Sequence, residues 1–282
     1  FVLMGDIIWR SGAAADLYRI CDRGVRRLPG RLAIATIAGN TVFAAVTGVS
    51  IAAAAAFSRI AYPQMKALGY SQSFALGAVA GSACLGMLIP PSILLIVWAI
   101  LTEMSVGALF IAGLLPGLVL ALLFAGYVIT AAIVRPSVAP AYSAPLEEPT
   151  AEETRAELIG GLGILLLILV VIGGIWTGIF TPTEAAGFGA VTALILGIVK
   201  GMRWADFQLT LYQAARTTAP IMFLLITAQM YSRLLALGGG VNYIQGLFLG
   251  ADLTPAMIIL LMILVWIVLG MLVDSVSIIL LT

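Results

Sequence analysis

Leu85-Gly86-Met87-Leu88-Ile89-Pro90-Pro91-Ser92 is an apolar run with a glycine and a double proline set inside it. Pro90 lacks an N–H, and its ring collides with the carbonyl four residues back, at Gly86, so a helix cannot pass through this stretch unbroken. A second interruption, Thr47-Gly48-Val49-Ser50, divides the apolar residues that follow Asn40-Thr41 from a run of alanines. Non-helical backbone at membrane depth survives only where protein or a wet cavity satisfies its polar groups. In secondary transporters, such broken helices are where ions and substrates bind.

The surrounding composition makes the membrane setting plain. Of 282 residues, 62% are hydrophobic and 10% charged, with mean hydropathy +1.15. A soluble domain carries about 25% charged residues, so the chain reads as an all-α polytopic membrane protein. The net charge of +1 gives no support for nucleic-acid binding. No histidine is present, which removes histidine metal sites and histidine general bases. Cys21 and Cys84 lie far apart, one in a basic segment and one in a span, and suggest neither a disulfide nor a metal site. The chain begins at Phe1 and stops at Thr282 within an apolar stretch, so it reads as an internal segment of a longer protein.

Five regions follow. Residues 1–31 form the end of a span and an amphipathic helix over Ser11 to Arg31, in which Asp16, Arg19, Asp22, Arg23, Arg26, Arg27 and Arg31 alternate with apolar residues. That pattern predicts an arm lying in the membrane interface, its arginines at phosphate level. Residues 32–134 hold a helical hairpin over 32–62 with its tip at Thr47-Gly48, a broken span over 74–101, and a further span from Val106 to Val134. Residues 135–157, with Pro136, Pro140, Pro145 and Pro149 and then several glutamates, predict an exposed cytoplasmic linker. Residues 158–250 hold spans, a polar loop from Lys200 to Gln213 and a second, outer arm from Val241 to Gly250. Residues 251–282 open a second hairpin around Asp274.

Charge tests this topology. If Leu32 to Ile60 re-enters and returns to the cytoplasmic side, 13 of the 14 Lys and Arg fall at or near that face. A full span there would place Lys200 and Arg203 outside, against the positive-inside rule. Two hairpins entering from opposite faces fit an inverted repeat around a midplane site.

The candidate site follows from the breaks. Thr47, Gly48 and Ser50, with Asn40 and Thr41, are expected to face Gly86, Pro90 and Ser92, with Ser82. Freed carbonyls and hydroxyls make an oxygen cage without nearby fixed charge, which suits Na⁺ better than Ca²⁺ or Mg²⁺. Small residues that merely let helices pack closely are the alternative. Asp274 is an acid in an apolar stretch, where a charge is costly and functional by default; a position near an interface is its alternative. Thr181-Pro182-Thr183-Glu184 reads as a helix start, which explains Glu184 without a relay role.

Several motifs then resemble one family in order along the chain. Phe43 to Ala52, Pro63 to Tyr70, Leu85 to Ser92, Leu109 to Gly117 and Gly178 to Ala186 are similar to the large membrane subunit of tripartite ATP-independent periplasmic (TRAP) transporters, the DctM-like permeases. The resemblance implies a bacterial inner-membrane, elevator-type transporter with an inverted repeat. It implies Na⁺-coupled uptake of an organic acid such as a C4-dicarboxylate or sialic acid, and no enzymatic activity. It implies two partners besides the lipid bilayer: a periplasmic substrate-binding protein and a small four-helix membrane subunit, separate or fused. Carried over by motif, Thr47, Gly48, Val49, Ser50, Gly86, Pro90 and Ser92 line the first Na⁺ site. Asp274 and Ser275 stand at the second hairpin tip, and Asn40, Thr41, Ser82 and Pro91 line the substrate. Thr47 and Val49 replace two serines of the usual Ser-Gly-Ser-Ser tip, so Val49 offers backbone oxygen only. The family continues past Thr282 into a second broken span, so this segment alone is not expected to transport. An elevator carrier that works without a binding protein, and a scaffold without flux, are the other readings.

Overall fold

The computed structural model describes residues 1–140, 150–240, 243, 246, 254–273 and 275–281. Among these, every regular element is helical: α1 (Val2–Arg10), α2 (Ala13–Gly24), α3 (Arg31–Thr47), α4 (Ser50–Ile60), α5 (Tyr62–Ala67), α6 (Gln72–Ala83), α7 (Ile93–Thr102) and α8 (Val106–Val134), then α9 (Ala151–Trp176), α10 (Pro182–Val199), α11 (Trp204–Leu237), α12 (Pro255–Gly270) and α13 (Ser275–Leu281). Four of them, α8 to α11, are long and apolar enough to cross a membrane.

α3 is the axis of the fold. It is apolar on all sides and buried along nearly its whole length, as a helix surrounded by protein must be. α2, α6 and α8 pack around it, and α4 folds back beside it. Phe43 on α3 meets Phe57 on α4 edge-on at 5.7 Å, and Tyr18 on α2 reaches the same Phe57 at 6.2 Å. These rings lock the two arms of the hairpin to each other and to α2. α1 packs against α10 and α11 on the far side.

Local chemistry sets the helix starts. Thr150 and Glu153 form a reciprocal capping box at α9, and Thr181 and Glu184 form another at α10, with Pro182 in the first turn. Glu184 is spent on that cap, donated to by the Thr181 N–H at 2.8 Å. Such caps satisfy N-terminal N–H groups that have no helical partner.

Three expectations are corrected. The arm helix stops at Gly24 rather than Arg31, and residues 25–30 form a turn closed by Arg31, whose guanidinium pairs with both Asp22 oxygens at 2.5 Å. The linker's last residues, from Ala151, are already helix, and Glu157 is only 3% exposed. Of the expected Lys200–Gln213 loop, residues from Trp204 onward belong to α11. Charged residues in all three stretches have partners; Asp206 caps the start at Trp204, accepting from the Arg203 N–H at 3.2 Å. Asp16, 4% exposed, pairs with Lys200, and Glu157 pairs with Arg23 at 2.6 Å. Partnered charges can be buried, whereas lone ones must stay wet. Asp16 was expected on an interfacial arm and Lys200 in a polar loop; they instead tie α2 to the α9–α10 side. The expected outer arm, Val241 to Gly250, lies outside the described residues except for Tyr243 and Gly246.

Candidate functional site at the meeting of two helix breaks

The two interruptions come together. α3 ends at Thr47; Gly48 takes a left-handed conformation (φ 63°), Val49 is extended, and α4 starts at Ser50. On the other side, α6 tightens into a 3₁₀ turn over Cys84–Met87, runs non-helical to Ser92, and restarts as α7. The Ile93 N–H donates to the Gly48 carbonyl at 3.2 Å, bridging the breaks. The contact is backbone on backbone. A Cβ on Gly48 would overlap the Pro91 carbonyl oxygen, and one on Gly86 would lie 3.3 Å from the Ser50 nitrogen.

Each polar residue at the junction has a definite local task. Ser92, fully buried, donates to the Met87 carbonyl at 2.7 Å and accepts from the Leu95 N–H, which caps α7. Thr47, also buried, donates to the Phe43 carbonyl of its own helix. Val49 carries no side-chain oxygen, so α4 has no side-chain cap. Among the described residues its first N–H groups therefore lack helical and cap partners, and the positive end of the helix dipole stands at the tip. The last carbonyls of α3 are the complement: they have no intrahelical donor and carry partial negative charge. One junction thus offers oxygens that suit a small cation and amides that suit an anion.

The other expected residues fall at two places. Asn40 and Ser82 meet about two helical turns from the tip, where the Asn40 amide donates to the Ser82 hydroxyl at 2.7 Å. The Asn40 side-chain oxygen is buried there with no hydrogen-bond partner among the described residues. Thr41 donates to Ile37 within α3 and does not reach the junction. From the second break, Ser275 does reach it: its hydroxyl lies 3.6 Å from the Met87 sulfur. Asp274 lies outside the described residues.

One contributor escaped the sequence reading. Gly113 on α8 lies against the unwound segment so closely that a Cβ there would stand 2.6 Å from the Leu88 carbonyl oxygen. Its spacing to Gly117, a small residue one turn on, is the signal that could have found it.

Comparison with known proteins identifies the family. A family model described as "Tripartite ATP-independent periplasmic transporter, DctM component" matches residues 1–282. The C4-dicarboxylate TRAP transporter large permease protein DctM of Pseudomonas aeruginosa is 36% identical over 237 residues, covering 83% of this chain and 54% of its own length. The ectoine TRAP transporter large permease protein TeaC of Halomonas elongata is 34% identical, covering 86% of this chain and 54% of its own. The isethionate TRAP transporter permease protein DctMQ of Oleidesulfovibrio alaskensis is 28% identical, covering 84% and 37%. The chain thus spans about half the length, or less, of these relatives. These relatives are permeases, not enzymes, and with four membrane-length helices among the described residues the chain is a protein of the bacterial inner membrane. It belongs to the DctM family of TRAP transporter large permease subunits.

Proposed function

We propose that the full-length protein takes up a small organic anion, driven by Na⁺, with the cation held at the junction of the two breaks. One observation carries the reading: the Gly48 carbonyl and the Ile93 amide bridge two unwound segments that touch backbone to backbone. The carbonyl-rich ends of α3 and the 3₁₀ turn suit a monovalent cation, with Thr47, Gly48, Val49, Ser50, Gly86, Pro90 and Ser92 around it. The uncapped N-terminus of α4 suits the cargo's anionic group. Coupling then has a physical basis, because a bound cation lowers the cost of bringing an anion to the same place.

Asp274 and Ser275 supply the corresponding tip of a second hairpin, in an inverted repeat that moves as an elevator. Asn40, Thr41, Ser82 and Pro91 line the approach of the substrate. Two of the relatives' names point to anionic cargo, a C4-dicarboxylate and isethionate, and a third names ectoine. The assembly includes a small membrane subunit, separate or fused, and a periplasmic binding protein. Uptake by the complete gene product with these partners in proteoliposomes, across a carboxylate panel and with Na⁺ or K⁺ gradients, tests the reading. Uptake should require Na⁺; equal rates in K⁺ reject the cation assignment.

A further inference from the structure

A crevice of about 420 Å³ runs between α1, α4 and α11. Along α4 it follows one helical face, from Ile51 beside the tip through Ala52 and Ala55 to Arg59. At about 1.5 Å per residue, that face reaches roughly 12 Å from the junction. Its upper wall, with Phe43, Ile51, Ala52 and Ala55, is apolar. Its lower end is lined by Arg59, by Trp9 and Asp6 of α1, and by Gln213 and Arg216 of α11.

The lower end carries excess positive charge. Asp6 is the one acid among the described residues of this lining, against the two guanidiniums of Arg59 and Arg216, and Arg10, one turn on along α1, acts on it only through space. Among the described residues, neither Arg59 nor Arg216 has a carboxylate within ion-pair distance. The Arg59 guanidinium sits over the Trp9 ring, 5.5 Å from its centroid. Stacking holds a guanidinium by its face and leaves its N–H edge for a planar acceptor. Arg216 lines the same space from a different helix, so an anion between them can be held from both sides.

We propose that Arg59 and Arg216 form a second, weaker subsite for the cargo's carboxylate, between the junction and the cytoplasm. This rests on the transport reading given above. A carboxylate leaving the tip would meet no compensating charge along Ile51, Ala52 and Ala55. The two guanidiniums lower that barrier and set the direction of exit. Bidentate guanidinium–carboxylate pairing is the recognising chemistry, so the ligand class is small mono- and dicarboxylates.

The test uses the complete permease with its partner proteins in proteoliposomes, with succinate as probe and exchange measured from the cytoplasmic face. Arg59→Gln and Arg216→Gln should each raise the half-saturating succinate concentration roughly ten-fold, the loss of one charge-assisted hydrogen bond. Arg59→Lys should restore part of it. Gln213→Lys, which adds charge to the crevice, should lower half-saturation, a gain that misfolding cannot imitate. Unchanged half-saturation in both Gln variants, with active wild type, overturns the subsite alone. Effects that vanish in vesicles lacking anionic lipid assign the arginines to a lipid phosphate and also overturn it. Wild type inactive on the whole carboxylate panel overturns the transport reading and the subsite together.

Discussion

Gly48→Ala isolates the contact on which the site depends. Gly48 has φ 63°, a region that costs an ordinary residue about 1–2 kcal/mol. The added methyl also overlaps the Pro91 carbonyl oxygen, with the Ser92 Cα only 3.3 Å away. Both neighbours are backbone, so the tips must separate, and overpacking of this kind costs about 1–3 kcal/mol. The total is about 2–5 kcal/mol. A control separates the two parts: Gly12 has φ 81° with nothing within 4 Å of an added Cβ, so Gly12→Ala carries the backbone cost alone. The assay is thermal unfolding of the complete permease at a series of Na⁺ concentrations. Gly12→Ala should lower the transition while keeping the upward shift expected of the proposed Na⁺ binding. Gly48→Ala should lower it further and lose the Na⁺ response, because opening the tips breaks the Gly48–Ile93 hydrogen bond. Equal destabilisation by the two variants, or an intact Na⁺ response in Gly48→Ala, would refute the reasoning.

Other expectations concern the rest of the fold. Asp16→Ala leaves the partly buried Lys200 ammonium only the Ala156 carbonyl as acceptor among the described residues and should destabilise by about 1–3 kcal/mol, whereas Asp16→Leu combined with Lys200→Met should recover most of that loss in the same unfolding assay. Gly113→Ala should cost about 1–3 kcal/mol by pushing the Leu88 carbonyl off α8, and uptake by the complete permease should fall with it. Burial, reinforced by the charge of Asp22, pushes the Cys21 thiol up to about 11 from a usual value of 9.0. The reactive thiolate is then roughly a hundred-fold scarcer at neutral pH. Maleimide labelling of Cys21 should be slow at pH 7 and accelerate towards pH 10; rapid labelling at pH 7 would contradict its packing.

The helix breaks were legible from residues alone because glycine and proline act on their own backbone. Pro90 removes a donor and blocks a carbonyl wherever it stands, and Gly48 permits a left-handed turn that its neighbours resist. Caps were legible for the same reason: Thr181 and Glu184 lie within one turn of each other. The pairing of Asp16 with Lys200 was not, since 184 residues separate them and each alone reads as a surface charge. That pair, and Glu157 with Arg23, drew inward charges that polarity alone had placed on an interfacial arm, an exposed linker and a polar loop.

The candidate site divides along the same line. Composition and the two interruptions determined, without coordinates, that this is a helical membrane protein with unwound backbone at two places. Only the tertiary structure decided that those places touch, with Ile93 bonded to Gly48 and Gly113 backing the Leu88 carbonyl. It also set Asn40 with Ser82 away from the junction, against the single cluster that their residue types implied. The reason is range: backbone conformation is governed by the nearest few residues, whereas which broken ends meet depends on how whole helices pack.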